Sequence, residues 1–186
     1  MLARIFLFFS LSILAGNVTA DEASPRIIME TNLGSFELTL NAKRAPLTVK
    51  NFLELIDSRF YDGLIFHRVI DDFMIQAGGF DKNLRYYDSG RTVANESFNG
   101  LTNKTGAVAM ARTEDPNSAS SQFYINIKNN SSLNPKRRRP GYTVFGKVTS
   151  GWDVIKRIAT AKTKYKNGIS EALPLDPIII LRARRL

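Results

Sequence analysis

The six residues Ser35 to Leu40 read SFELTL, with Phe36, Leu38 and Leu40 on one side of an extended chain and Ser35, Glu37 and Thr39 on the other. Side chains of a β-strand alternate between its faces, so this period of two describes a half-buried strand. Strand-like segments recur as RIIMET before it and then IFHRVI, FMIQA, GAVAMA, SQFYINI, YTVFGKV and PIIILRA, most of them separated by turn-rich stretches. Asn32, Leu33 and Gly34 close the first two strands into a hairpin. Two segments have the helical period instead. In APLTVKNFLELIDS, Val49, Phe52, Leu53 and Ile56 fall at i, i+3, i+4 and i+7 behind Pro46 at a first helical position. A second helix is expected to start near Ser150, with Asp153 as its capping-box partner and Trp152, Val154, Ile155 and Ile158 covering a core. Many strands, two helices and no regular β-α-β alternation predict an all-β barrel or sandwich with helices at its ends. The stretch from Gly78 to Thr105 carries few regular signals, and a loop that long is functional or draped over the surface.

The first twenty residues, MLARIFLFFSLSILAGNVTA, combine one early charge (Arg4), an apolar run from Ile5 to about Gly16, and small residues at Val18 and Ala20. That is the layout of a secretory signal cut after Ala20, and the run is shorter than the roughly 20 apolar residues a membrane span needs. The expected organisation is a signal peptide over 1–20 and one domain over 21–186. An exported chain without cysteine is stabilised by packing and not by disulfides, which suits a bacterial periplasm. Asn95, Asn103, Asn129 and Asn130 begin N-x-S/T sequons, so secretion or a eukaryotic secretory route stays open as a second localisation. With no cysteine and a single histidine, no set of zinc ligands is at hand. The formal charge is +9, or +8 without Arg4, and is concentrated in Lys136–Arg139 and at Arg182, Arg184 and Arg185. Such patches can attract nucleic acid or anionic lipid. An exported protein meets little nucleic acid, and the run reads first as a solvated loop tip. Neither a nucleic-acid partner nor stable membrane insertion is expected.

The chemistry concentrates in IFHRVIDDFMIQAGGF, residues 65–80, where His67, Arg68 and Gln76 interrupt an apolar sequence. An unpaired buried polar group costs roughly 1–3 kcal/mol, so each needs a partner or a ligand. Strict alternation puts His67 with Ile65 and Val69, and Arg68 with Phe66 and Ile70, so the two point into one site only if the strand is bulged. In SQFYINI, Phe123, Ile125 and Ile127 form the core face, and Gln122, Tyr124 and Asn126 the other. There is no G-x-S-x-G elbow to give His67 a nucleophile, and AGGF lacks the spacing of a phosphate-binding loop. Asp71 and Asp72 are the one carboxylate pair here, and either could hold Arg68 as an ion-pair partner. An arginine, a glutamine and apolar groups, without nucleophile, base or metal, suit binding, or a reaction that breaks no bond.

FHRVIDDFMIQAGGFD, GAVAMARTEDPNSASSQFYINI and YTVFGKV resemble successive signature segments of the cyclophilins, the peptidyl-prolyl cis/trans isomerases, and the likeness is greatest to bacterial periplasmic members. The resemblance implies a closed eight-stranded antiparallel β-barrel capped by two α-helices, no cofactor, and proline-containing peptides and unfolded exported proteins as partners of a monomer. Residue by residue, it implies that Arg68 is catalytic, that Phe73, Met74, Tyr124 and Leu133 line a proline pocket, and that Gln76, Ala111 and Gln122 contact the substrate backbone. Tyr142 stands where many eukaryotic members have histidine, and His67 is structural. Asp71-Asp72 replace a common Pro-Gly turn and would weaken Arg68 if they folded toward it, Ala77 replaces a glycine, and Tyr124 adds a hydroxyl to the pocket. Ser132 stands where cyclosporin-sensitive members carry tryptophan, which implies weak cyclosporin binding. A module of the same fold that holds proline segments without turning them over, or acts as a chaperone, is the alternative.

Overall fold

The structure is a computed structural model that describes residues 24–186. The expected signal peptide and its cleavage site lie outside the described residues. Eight strands form one antiparallel sheet in the order β10-β1-β2-β7-β5-β6-β4-β3. They are β1 (Arg26–Thr31), β2 (Gly34–Leu40), β3 (Leu64–Ile70), β4 (Met74–Asp81), β5 (Ala107–Met110), β6 (Phe123–Asn126), β7 (Val144–Ser150) and β10 (Ile180–Arg185). The outer strands β3 and β10 meet over a short seam at their beginnings, where Gly63, just before β3, donates its N–H to Ile180 O at 2.8 Å and Phe66 N donates to the O of Ile178, just before β10, at 2.9 Å. The sheet is thereby rolled into the expected eight-stranded barrel. Each expected strand is present, with ends shifted by a few residues.

Helix α1 (Pro46–Asp57) fills the barrel with its buried side. Phe52 meets Phe145, Tyr61 and Phe123 at ring-centroid distances of 5.0, 5.3 and 5.5 Å. Helix α2 (Trp152–Ala159) covers the core with Val154, Ile155, Ile158 and Ala159. Its start corrects the expected capping box: Ser150 ends β7, and the N-cap is Gly151 at φ 75° with no side-chain cap. A Cβ on Gly151 would stand 2.5 Å from Ser35 O, so the close approach of backbone and the left-handed turn both call for glycine.

The long stretch after β4 is draped over the surface, and it supplies the cap that α1 lacks. Ala45, the N-cap residue, has no side chain to offer, but Glu96 accepts from Leu47 N at 3.0 Å, from Thr48 N at 2.9 Å and from the Thr48 hydroxyl at 2.7 Å. A carboxylate satisfies orphan N–H groups and opposes the positive end of the helix dipole. One element has no counterpart in the sequence reading: a hairpin of β8 (Thr163–Lys166) and β9 (Ser170–Pro174), whose second strand packs on β3. Among the described residues, no helix is long and apolar enough to cross a membrane.

Candidate functional site

Strands β4, β5, β6 and β7 each send alternate residues to opposite faces. Ile75, Ala77, Val108, Met110, Phe123, Ile125 and Phe145 enter the barrel core. Their neighbours Met74, Ala107, Ala109, Tyr124 and Val144 form a second, smaller apolar cluster on the outside, joined by the half-buried Phe73, Ala111, Leu133 and Tyr142. Phe73 and Met74 are adjacent and still share this face, because Phe73 lies in the turn before β4. Leu133 arrives on a single 3-10 turn, Ser131–Leu133.

Arg68 reaches the rim of the cluster because β3 is bulged. Phe66 pairs with Ala77 and Arg68 with Gln76, so His67 is the extra residue. This corrects the strict alternation: Phe66 points into the core while Arg68, two residues on, faces outward. Arg68 Nη1 donates to Gln76 Oε1 at 3.3 Å and lies 3.8 Å from Met74 Sδ. Gln76 Nε2 donates in turn to Gln122 Oε1 at 2.8 Å. The nine side chains singled out in the sequence, Arg68, Phe73, Met74, Gln76, Ala111, Gln122, Tyr124, Leu133 and Tyr142, thus share one outer face.

The carboxylate that holds Arg68 is neither Asp71 nor Asp72. It is Glu171 on β9, whose Oε1 accepts from both Nε at 3.1 Å and Nη2 at 2.6 Å. Asp72 pairs with Lys128 at 2.7 Å, and Asp71 accepts from the Asp72 amide. The residues that replace the Pro-Gly turn therefore leave Arg68 alone, and Asp72 takes the left-handed conformation, at φ 53°, that glycine would adopt. Nor does the Tyr124 hydroxyl make the pocket polar. It donates at 2.7 Å to Asn103 Oδ1, which also accepts from Asn126 Nδ2 at 3.2 Å. Burial, with Tyr142 nearby, raises its pKa well above 10, so it stays a donor.

His67 is buried, its ring 4.9 Å from that of Phe80, and no hydrogen-bond partner reaches its Nδ1. Burial first, and the charge of Arg68 second, lower its pKa to about 4 against the opposing pull of the Ile65 backbone and the Gln122 side chain. Near pH 7 it is neutral, in keeping with a structural role.

Sequence reasoning missed three residues of this face: Glu171, Asn103 and Arg112. Arg112 lies over the Tyr142 ring, 4.6 Å from its centroid. Asn103 and Asn130 begin sequons yet are buried, so in the folded chain they are closed to glycosylation. The Asn103 sequon signal concealed a structural role.

Residues 26–185 match the family model of the cyclophilin type peptidyl-prolyl cis-trans isomerase/CLD. A peptidyl-prolyl cis-trans isomerase of Acinetobacter baylyi is 45% identical over 159 residues, which span 86% of this chain and 84% of the relative. Peptidyl-prolyl cis-trans isomerase B of Escherichia coli is 40% identical over 157 residues, 83% of this chain and 95% of that one. The fold superposes with a TM-score of 0.73 on a Cryptosporidium parvum cyclophilin-type isomerase crystallised in the presence of the dipeptide Ala-Pro, at 27% identity over 87% of this chain and 98% of the other. Family match and fold agree along almost the whole described length, and the chain belongs to the cyclophilin-type peptidyl-prolyl cis-trans isomerases, enzymes that turn X-Pro peptide bonds.

Proposed function

We propose that this chain turns X-Pro bonds in incompletely folded exported proteins of the periplasm, as a monomer without a cofactor, with Arg68 as the catalytic residue. The observation that carries the assignment is the guanidinium of Arg68 at the edge of the outer apolar cluster, 3.8 Å from Met74 Sδ. In this reading Phe73, Met74, Tyr124 and Leu133 receive the proline ring, Tyr142 flanks it, and Gln76, Gln122 and Ala111 hold the neighbouring peptide. The Ala-Pro dipeptide present with the Cryptosporidium relative supports a proline-containing ligand. The twenty N-terminal residues support export; intact-mass measurement showing a mature chain that begins at Asp21 is the expected result.

Rotation about an amide costs about 18–20 kcal/mol because conjugation between nitrogen and carbonyl is lost. As the bond twists, the prolyl nitrogen becomes pyramidal and recovers a lone pair. A donor placed at that nitrogen binds the twisted bond better than either planar form, and only such differential binding accelerates the reaction. The twisted bond is also less charge-separated, so an apolar pocket penalises it less than water does. Arginine suits the task because it stays charged beside apolar groups and offers a rigid fork of donors. Glu171 occupies Nε and one edge of the fork, which leaves Nη1 toward the pocket.

The test is a proline-isomerisation assay on wild type and Arg68→Ala. Removal of one preorganised donor is expected to lower kcat/KM by about 10²–10³-fold with the fold intact. Full activity in the variant would remove Arg68 from the mechanism. The second reading, a module that holds proline segments without turning them over, draws on the Glu171 carboxylate, which offsets the charge of Arg68. Peptide binding without any rate enhancement would favour it. With Ser132 exposed and no tryptophan there, weak cyclosporin binding is expected in either case.

A further inference from the structure

Beside the proline pocket, and sharing Leu133 and Tyr142 with it, lies a cleft of about 590 Å³ that none of the proposed chemistry uses. Its remaining lining includes Arg112, Lys136 and Arg139, with Glu114 the one carboxylate among the residues that bound it. None of these three cations, nor Arg137 or Arg138 at the loop tip, is in an ion pair among the described residues, whereas Arg26, Arg68, Arg91, Lys128, Arg157, Arg184 and Arg185 all are. Elsewhere on the surface arginines commonly find acids; here a group of them is left facing a hollow.

The basic loop is also not a loose tail. Lys136 and Arg139 exchange backbone hydrogen bonds at 2.9 and 2.8 Å, which makes residues 136–139 a tight turn, and Tyr142 N donates to Leu133 O at 3.0 Å across the neck of the loop. Arg138 sits at φ 61°, a conformation that glycine adopts freely and an arginine only against steric cost. Arg112 ties the loop to the segment after β5: it donates to Pro140 O at 3.1 Å, Gly141 O at 3.3 Å and Thr113 O at 2.7 Å. Its hydrogen bonds are spent on neutral carbonyls and its face on the Tyr142 ring, so it frames the cleft and has no carboxylate partner among the described residues. A cationic wall carried on a hydrogen-bonded turn next to a pocket for proline is a means of choosing among proline sites by the charge of the residues beside them.

We infer that this cleft selects X-Pro segments carrying an acidic side chain within one or two residues of the proline, on one side of it. The inference rests on the isomerase reading of the adjoining pocket and names the substrate class that pocket prefers. Lys136 and Arg139 supply the attraction and Arg112 the fixed frame, while Glu114 repels an acidic side chain less than the two loop cations attract it.

The experiment measures both turnover and affinity, by isomerisation assay and fluorescence anisotropy, on short peptides with Glu, Gln or Lys placed in turn at each position flanking proline. At low ionic strength the Glu peptide at one flank is expected to exceed its Gln counterpart by about three- to tenfold in kcat/KM and in affinity, and the Lys peptide to fall below both. Lys136→Gln/Arg139→Gln should abolish that preference and leave the neutral peptide unchanged, and added salt should narrow it in wild type. An enzyme active on the neutral peptide but indifferent to Glu at every flanking position, or a preference that survives in the double variant, overturns the cleft assignment. Absence of turnover on every peptide would instead sink the isomerase reading, and the anisotropy series would still decide whether the cleft discriminates charge.

Discussion

The two faces of strands β4 to β7 are built from neighbouring residues and held by different forces. Inside, Phe123, Ile125, Phe145, Val108 and Ile75 are fully buried in the core shared with both helices, with no polar side chain among them. Outside, residues one step away in sequence form a shallow apolar patch whose working edge is polar: Arg68, Gln76 and Gln122 in a hydrogen-bonded chain, anchored by Glu171 from a distant hairpin. The interior draws its energy from area removed from water, which is non-directional. The exterior draws its usefulness from donors placed to a few tenths of an ångström. The same alternation that builds a stable barrel therefore supplies the platform for a site, and the two should fail in different ways.

Phe145→Ala against Leu133→Ala breaks that comparison most sharply. Phe145 is fully buried and packs against Phe52, so its truncation should cost about 3–5 kcal/mol, enough to leave the chain largely unfolded or marginal. Leu133 is half-buried at the pocket, and its truncation should raise KM several-fold with a melting temperature close to wild type. Chemical denaturation beside an isomerisation assay reads both. If Leu133→Ala unfolds the chain, the outer patch is core and not pocket.

The next largest effect lies at the boundary of the two faces, at His67. In the unfolded chain the imidazole titrates near its ordinary 6.5, and in the fold burial holds it to about 4. Between these values the unfolded chain binds the extra proton, so the stability tied to neutral His67 is complete above about pH 6.5. It is lost as pH falls toward 4, by on the order of 3 kcal/mol. Urea denaturation of wild type and His67→Phe between pH 7.5 and 4 should show wild type losing stability relative to the variant as pH falls. Parallel curves would mean that His67 is as exposed to water as in the unfolded chain.

Glu96 sharpens the comparison from the polar side. It is a half-buried carboxylate with three hydrogen bonds, like a site residue, but all three go to the start of α1. Glu96→Ala should cost about 1–3 kcal/mol and lower the melting temperature by several degrees. kcat/KM measured well below that temperature should not move. A fall in activity at full foldedness would show that the draped segment couples to the site.

What could be read without coordinates follows the same division. Interior strands and α1 were legible because burial imposes a period, two for Phe36, Leu38 and Leu40 and about 3.6 for Val49, Phe52 and Ile56. The outer face was legible largely through resemblance, since alternation tells only which residues lie opposite the core and not what they touch. The bulge, left open as a possibility, could not be placed at His67 because Leu64, Ile65, Phe66, Val69 and Ile70 are apolar at successive positions on either side of it and hide a shift of phase, and with it went the true direction of Phe66. The β8–β9 hairpin escaped because Thr163–Lys166, TKYK, is exposed throughout and so has no apolar rhythm. Glu171 went with the hairpin: it meets Arg68 across 103 residues of sequence, with no local cue at either end.

The smallest expected effect tests whether Glu171 belongs to the working edge or is one more surface ion pair. Its side chain is 59% exposed, and pairs of that kind contribute about 0–1 kcal/mol, so stability should hardly respond to its removal. Its geometry is more telling than its strength. Both Nε and Nη2 of Arg68 donate to a single oxygen, Oε1, so the second carboxylate oxygen is not needed to hold the guanidinium in place. Glu171→Gln can keep that acceptor while removing a charge that offsets Arg68. It should therefore turn over peptides at or somewhat above the wild-type rate. Glu171→Ala removes the acceptor, frees the guanidinium to leave the rim of the pocket, and should lower kcat/KM by about three- to tenfold, the net scale of one solvent-screened hydrogen bond. Wild-type kcat/KM in Glu171→Ala would assign the pair to the surface, and an equal fall in both variants would show that the charge, and not the position it fixes, is what Arg68 requires.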